Sequence, residues 1–195
     1  MAGQFEAIPG GGAAVALDEV EISILRSLAV QLLELIGPGE EPAKGEDPLA
    51  ALFAEGPSKP PSDPALARLF PDAYGFGDDT DDELREYAAE FRRFTENDLR
   101  SRKREDGLAV VRTLDELSAA GEGGAVLKLA PDDCRHWLGA LNDLRLTIGN
   151  RLEISDEDEG ESLYRLSDDD PRKPMVMAYL WLGALQETLI ETMMP

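Results

Sequence analysis

The only cysteine and the only histidine of the chain stand two residues apart, Cys134 and His136, and together they are the pair that thiolate chemistry would use. Their spacing argues against it. The segment that carries them has helical periodicity, and residues two apart on a helix point to different faces. Asp132 and Asp133 also oppose the thiolate that a helix N-terminus would favour at Cys134. Two roles stay open for Cys134, a structural one and oxidation to a mixed or intermolecular disulfide. His136 has no second histidine and no cysteine pair at zinc spacing. The acidic runs Asp78 to Glu83 and Asp156 to Glu161 lack the alternating ligands and the glycine of an EF-hand loop. No phosphate-binding glycine loop, Ser-His-Asp signature or dinucleotide fingerprint occurs, so no cofactor, no metal set and no enzymatic activity are expected.

Charge is the second source of chemistry. With 40 acids against 19 Lys and Arg, the formal net charge is -21, which argues against autonomous DNA binding because affinity for a duplex is dominated by phosphate neutralisation. One stretch departs from this: Arg92 to Arg104 holds six cations and two acids. At 100° per residue, Arg85, Arg92, Arg93, Arg100, Lys103 and Arg104 fall within an arc of about 120°, opposite Leu84, Tyr87, Ala88, Phe91 and Phe94. Such a stripe either pairs with acidic loops of its own molecule or meets an acidic partner surface. RNA is disfavoured, because no exposed aromatics interleave with the cations. A second polar set, Asn142, Asp143, Arg145, Asn150 and Arg151, serves either hydrogen bonding to a neighbouring helix or a partner-binding groove.

The elements that must position these groups are mostly helices. The string Trp-Leu-Gly-Ala-Leu occurs twice, at Trp137 and at Trp181, each after a proline-led start. Trp137, Leu141, Leu144 and Ile148 share one helical face; Met177, Trp181, Ala184, Leu185 and Leu189 repeat the scheme. Glycine inside a helix costs about 1 kcal/mol relative to alanine, so Gly139 and Gly183 are expected where these two core helices approach closely. Asp18 and Glu21 form a capping-box pattern ahead of a first helix with Ile24, Leu25, Leu28, Leu32, Leu35 and Ile36 on its apolar face. Phe5 to Ile8 and Ala13 to Leu17 flank Pro9-Gly10-Gly11-Gly12 as a hairpin, and Ala125 to Leu129 reads as a strand joining it. Asp47 to Phe53 and Asp63 to Phe70 are two short helices, each with an aspartate cap and a proline in the first turn. The central helix after Asp78 is expected to break or kink at Gly107, where its apolar face resumes out of phase. The loop from Glu153 to Asp170, with nine acids and one Arg, is better solvated than packed.

The fold class is therefore mainly α: a single helical domain over 1–195 with a small β-sheet, made of the N-terminal hairpin plus one short strand, and with mobile segments at 38–80 and 153–172. No secretory signal or membrane span is indicated, and a cytoplasmic location is the default. An apolar helix face left over after folding would make a homodimer.

Three stretches carry a resemblance: Glu90 to Arg104, Trp137 to Leu152 and Tyr179 to Leu189. They resemble an actinobacterial domain-of-unknown-function family that includes the actinomycete oxidative-stress regulator AosR. The resemblance implies a transcriptional regulator in redox homeostasis that acts through protein contact with a sigma factor and RNA polymerase rather than through its own grip on DNA. It also implies an alternative, an adaptor or accessory factor for Clp-type protein degradation. A redox switch built on an internal disulfide would need two cysteines, and it does not carry over to a chain that has only Cys134.

Overall fold

The computed structural model describes residues 3–38, 55–74, 81–118, 124–154, 166–167 and 169–194. The described residues form three strands, β1 (Glu6–Ile8), β2 (Gly12–Leu17) and β3 (Ala125–Leu129), and five helices, α1 (Glu19–Ile36), α2 (Pro64–Leu69), α3 (Asp82–Ser118), α4 (Pro131–Arg151) and α5 (Lys173–Met193). This is the mainly helical fold with a small sheet that the sequence predicts. The helix expected over Asp47–Phe53 and most of the acidic loop lie outside the described residues.

The strands form one antiparallel sheet in the order β1-β2-β3, with Ala7 opposite Ala13 and Val15 opposite Leu127. Gly10 and Gly11 take φ values of 101° and 85°, a region open to glycine, and so close the hairpin. Ala13, Val15, Leu17, Leu127 and Leu129 point into the core. The cap of α1 forms as read: Asp18 Oδ1 accepts from the Glu21 amide at 2.8 Å and Glu21 Oε2 accepts from the Asp18 amide at 2.9 Å. Asp63 likewise accepts from the Leu66 amide ahead of Pro64, and the buried Leu69 and Phe70 tie α2 to the core.

Around this sheet α4 is the central packing element, with Trp137, Leu141, Leu144 and Ile148 all buried. Trp137 Nε1 donates to Thr113 Oγ1 at 3.0 Å, and the ring meets Phe5 edge-on at 6.0 Å. Four expectations need correction. The central helix runs unbroken through Gly107: a Cβ there would come within 3.0 Å of Leu33 Cδ2, so the glycine marks the close approach of α1 and α3 and not a break. Helix α5 buries Val176, Leu182, Leu185 and Leu189, while Met177 and Ala184 face out and Trp181 is only partly buried, so its inward face is rotated from the one that the repeat predicts. Gly139 does not face α5; a Cβ there would overlap the carboxylate of Asp106 on α3, whereas Gly183 does lie against α4, at Arg145. Ile24 of α1 is exposed as well.

Candidate functional site

The central helix places its charge inward. Arg92 is only 4% exposed; its guanidinium is paired with Glu96 through Nη1 and donates through Nη2 to the Phe70 carbonyl and to Asp72 Oδ1, each at 2.9 Å. Glu96, buried too, accepts from Arg100 Nε at 3.0 Å and Nη2 at 2.7 Å. Arg100 Nη1 then donates to the Ile36 carbonyl at 2.6 Å, Arg104 donates to the Gly37 carbonyl, and the Arg100 guanidinium lies 4.4 Å from the centre of the Phe70 ring. One turn on, Lys103 Nζ donates to Asp143 Oδ1 at 2.6 Å.

The reason is electrostatic. The last carbonyls of a helix lack intrahelical donors and carry partial negative charge, and α1 has no basic residue in its last turn. Arg100 and Arg104 supply that cap from another helix. Burial disfavours the charge on Arg92, yet its bonds to Asp72 and Glu96 outweigh this and hold its pKa above the ordinary value. Burial pushes the Asp143 carboxyl up, against the opposing pull of Lys103. Over Arg92, Arg100, Lys103 and Arg104 the basic stripe is therefore an internal seam, paired within the molecule with Glu96, Asp72, Asp143 and the carbonyls of Phe70, Ile36 and Gly37. Arg85 and Arg93 stay at the surface, Arg85 bonded to Asp82 at 2.9 Å and Arg93 3.6 Å from Glu55.

With the cations inside, the apolar row of the same helix is outside. Leu84, Tyr87, Phe91 and Phe94 follow at steps of three, four and three, one seam along a helix. Tyr87 is 50%, Phe91 46% and Phe94 61% exposed. Only Ala88 of that set is buried. Tyr74 packs edge-on against Phe91 at 5.9 Å, and the Arg93 guanidinium sits 4.8 Å from the Phe94 ring.

A groove of about 1120 Å³ opens between α3, α4 and α5, where Arg102, Arg135 and Asn142 face Ile190 and Met193. On its wall His136 Nδ1 lies 2.7 Å from Asp106 Oδ1, and Gly139 leaves room for that carboxylate. Among the described residues no group of three or more His, Cys, Asp and Glu is placed to hold a metal ion. The polar set of α4 does not converge on this groove. Asn142 lines it and Asp143 turns inward to Lys103, whereas Arg145 reaches Gln186 at 2.6 Å and Arg151 is exposed.

A family model described as "Domain of unknown function (DUF2017)" matches residues 2–193. The chain belongs to that family. It is 30% identical over 182 residues to proteins named "Oxidative stress regulator AosR" from Mycobacterium tuberculosis and Mycobacterium bovis, covering 89% of this chain and 78% of theirs. No solved structure matches.

In this DUF2017 member Cys134 is 1% exposed, and burial pushes its thiol pKa up. Its Sγ lies 4.0 Å from the Leu129 carbonyl. Sequence reasoning missed Glu96 as the central acid of the seam, although the steps of four from Arg92 to Glu96 and from Glu96 to Arg100 are the spacing at which side chains meet along a helix, and it missed Asp106 as the partner of His136. It also missed Tyr179 and Gln186 as the neighbours of Arg145, for which no local pattern exists.

Proposed function

We propose that this chain is a non-enzymatic regulator of the oxidative-stress response that works by protein contact with a sigma factor or RNA polymerase, through the outward row of α3. The observation that carries the reading is the row itself: Leu84, Tyr87, Phe91 and Phe94 exposed side by side on a helix whose other face is committed to the fold. Aromatic side chains in such a position are the usual anchors of an interface, and covering the roughly half of each side chain that is still exposed contributes about 1 kcal/mol. Glu83, Glu86 and Glu90 are exposed on the same turns and the Arg93 guanidinium lies against Phe94, so the row has a polar rim of mixed sign. The names of the mycobacterial relatives supply the biological setting. The acidic balance of the chain suits a protein partner better than a nucleic acid.

The test is affinity purification of the tagged protein from its host, with and without oxidant, followed by mass spectrometry, comparing the wild type with a Phe91→Glu and Phe94→Glu double variant. Enrichment of a sigma factor or polymerase that the double variant loses is the expected result, with unchanged circular dichroism as the check on folding. Enrichment of Clp components with no polymerase in either condition makes the chain a degradation adaptor instead. Polymerase capture that survives the double variant removes the row from the contact.

A further inference from the structure

On the far side of α4 from the seam, a recess of about 380 Å³ lies between α2, α4 and α5, and no residue of α3 lines it. Its polar lining is Arg68, Arg145, Asn150 and Tyr179, set against Leu146 and Ile154. In a chain of net charge -21, this pocket has two guanidinium-bearing residues and no carboxylate among its described lining residues. Arg145 is the informative one. It is half-buried, its Nη1 donates to Gln186 Oε1 at 2.6 Å, and its guanidinium lies 5.1 Å from the centre of the Tyr179 ring. Its Nε is buried without a hydrogen-bond partner among the described residues. No ion pair to Arg145 or to Arg68 occurs among the described residues, in contrast to Arg92 and Arg100.

A buried donor without an acceptor is unfavourable and is rare in folded proteins. A guanidinium stacked on an aromatic ring and fixed by a neutral amide is pre-organised, with donors left over for a planar or tetrahedral oxyanion. The volume falls in the range of small-molecule sites. Tyr179 contributes a hydroxyl 3.5 Å from Arg145 Nη2, and Asn150 an amide donor.

We propose that this recess binds a tetrahedral oxyanion, phosphate or sulfate, free or as the charged group of a small molecule, with Arg145 as the main ligand and Arg68 and Asn150 as supporting donors. The reading is independent of the α3 row. Its test uses the ¹⁵N-labelled full chain titrated with inorganic phosphate, and in a second arm with sulfate, at an ionic strength held constant with chloride. The readouts are the arginine side-chain Nε–H resonances and the melting temperature. Saturable displacement of the Arg145 resonance with a rise in Tm is expected from at least one of the two anions. Arg145→Gln abolishes the rise in Tm and the displacement of the Arg68 resonance, Arg68→Gln on the exposed end of α2 weakens the affinity about tenfold, and Arg151→Gln, outside the recess, leaves it unchanged. Response to phosphate alone identifies the phosphoryl group as the ligand chemistry, and response to both identifies any tetrahedral oxyanion. A response to neither, or one that is equal in wild type, Arg145→Gln and Arg68→Gln, overturns the proposal.

Discussion

Glu96→Ala separates a buried seam from a solvated stripe. The Glu96 side chain is 2% exposed and holds two cations, Arg92 at 4% and Arg100 at 21% exposure. Truncation leaves Arg92 with only Asp72 and the Phe70 carbonyl, and it strips Arg100 of both bonds to Oε1. Arg100 then holds the Ile36 carbonyl from a less constrained side chain, so the effect reaches the end of α1. Removing one partner of a buried pair costs about 3–5 kcal/mol, whereas an exposed pair is worth about 0–1 kcal/mol. Against a domain stability of about 5–15 kcal/mol and a urea m-value of about 1–3 kcal/mol/M, the unfolding midpoint should fall by roughly 1–5 M. The assay is urea unfolding followed by tryptophan fluorescence and far-ultraviolet circular dichroism. Arg85→Ala, in an exposed pair with Asp82, is the internal comparison and should change stability by no more than about 0.5 kcal/mol. A Glu96→Ala loss as small as that of Arg85→Ala would show that the seam is solvated and the reasoning mistaken.

Two further perturbations probe the packing and the thiol. Gly139→Ala gains about 1 kcal/mol of helix propensity but sets a Cβ against the Asp106 carboxylate, and overpacking of this kind costs about 1–3 kcal/mol. The variant should therefore melt below the wild type and recover in an Asp106→Ala background; a higher Tm in the wild-type background would refute the close approach. Cys134 should react with a thiol reagent far more slowly in native protein than in urea, and Cys134→Val should flatten the alkaline edge of stability. The sign follows from its raised pKa: below the ordinary thiol value of about 8.5 both states are protonated. Above it the unfolded chain loses a proton that the buried thiol keeps, so stability falls as pH rises until the native pKa is passed. Equal unfolding midpoints for wild type and Cys134→Val from pH 7 to pH 10 would count against that burial.

The elements were legible because their signals are local. The capping box at Asp18 and Glu21, the Asp63-Pro64 start, the glycine hairpin and the Trp137 face each depend on residues within a few positions, and each stands where periodicity puts it. Orientation was less legible. Periodicity finds two opposite faces on α3 but assigns the inward one by hydrophobicity, and here the inward side is decided by distant groups: the carbonyls of Ile36 and Gly37, the carbonyl of Phe70 and the carboxylates of Asp72 and Asp143. None of these can be located from a helical wheel. Gly107 and Gly139 misled for the same reason, since each makes room for a side chain from another helix, Leu33 in one case and Asp106 in the other.

The inversion of α3 bears on function because it is energetically the unexpected choice. A helix arranged for stability alone would bury Tyr87, Phe91 and Phe94, each contributing about 1 kcal/mol from the half still exposed, and would leave its arginines in water, where they need no partners. Replacing a buried ion pair by packed apolar groups is often neutral or stabilising, so the seam offers no advantage that a plain apolar contact would lack. What it does offer is a fixed direction. Arg92, Arg100 and Arg104 each bond a particular carbonyl of another segment, so α3 cannot roll to cover its aromatic row without leaving three guanidiniums and Glu96 unpaired. The polar seam thus holds the row in solvent, which is what a contact surface for another protein requires.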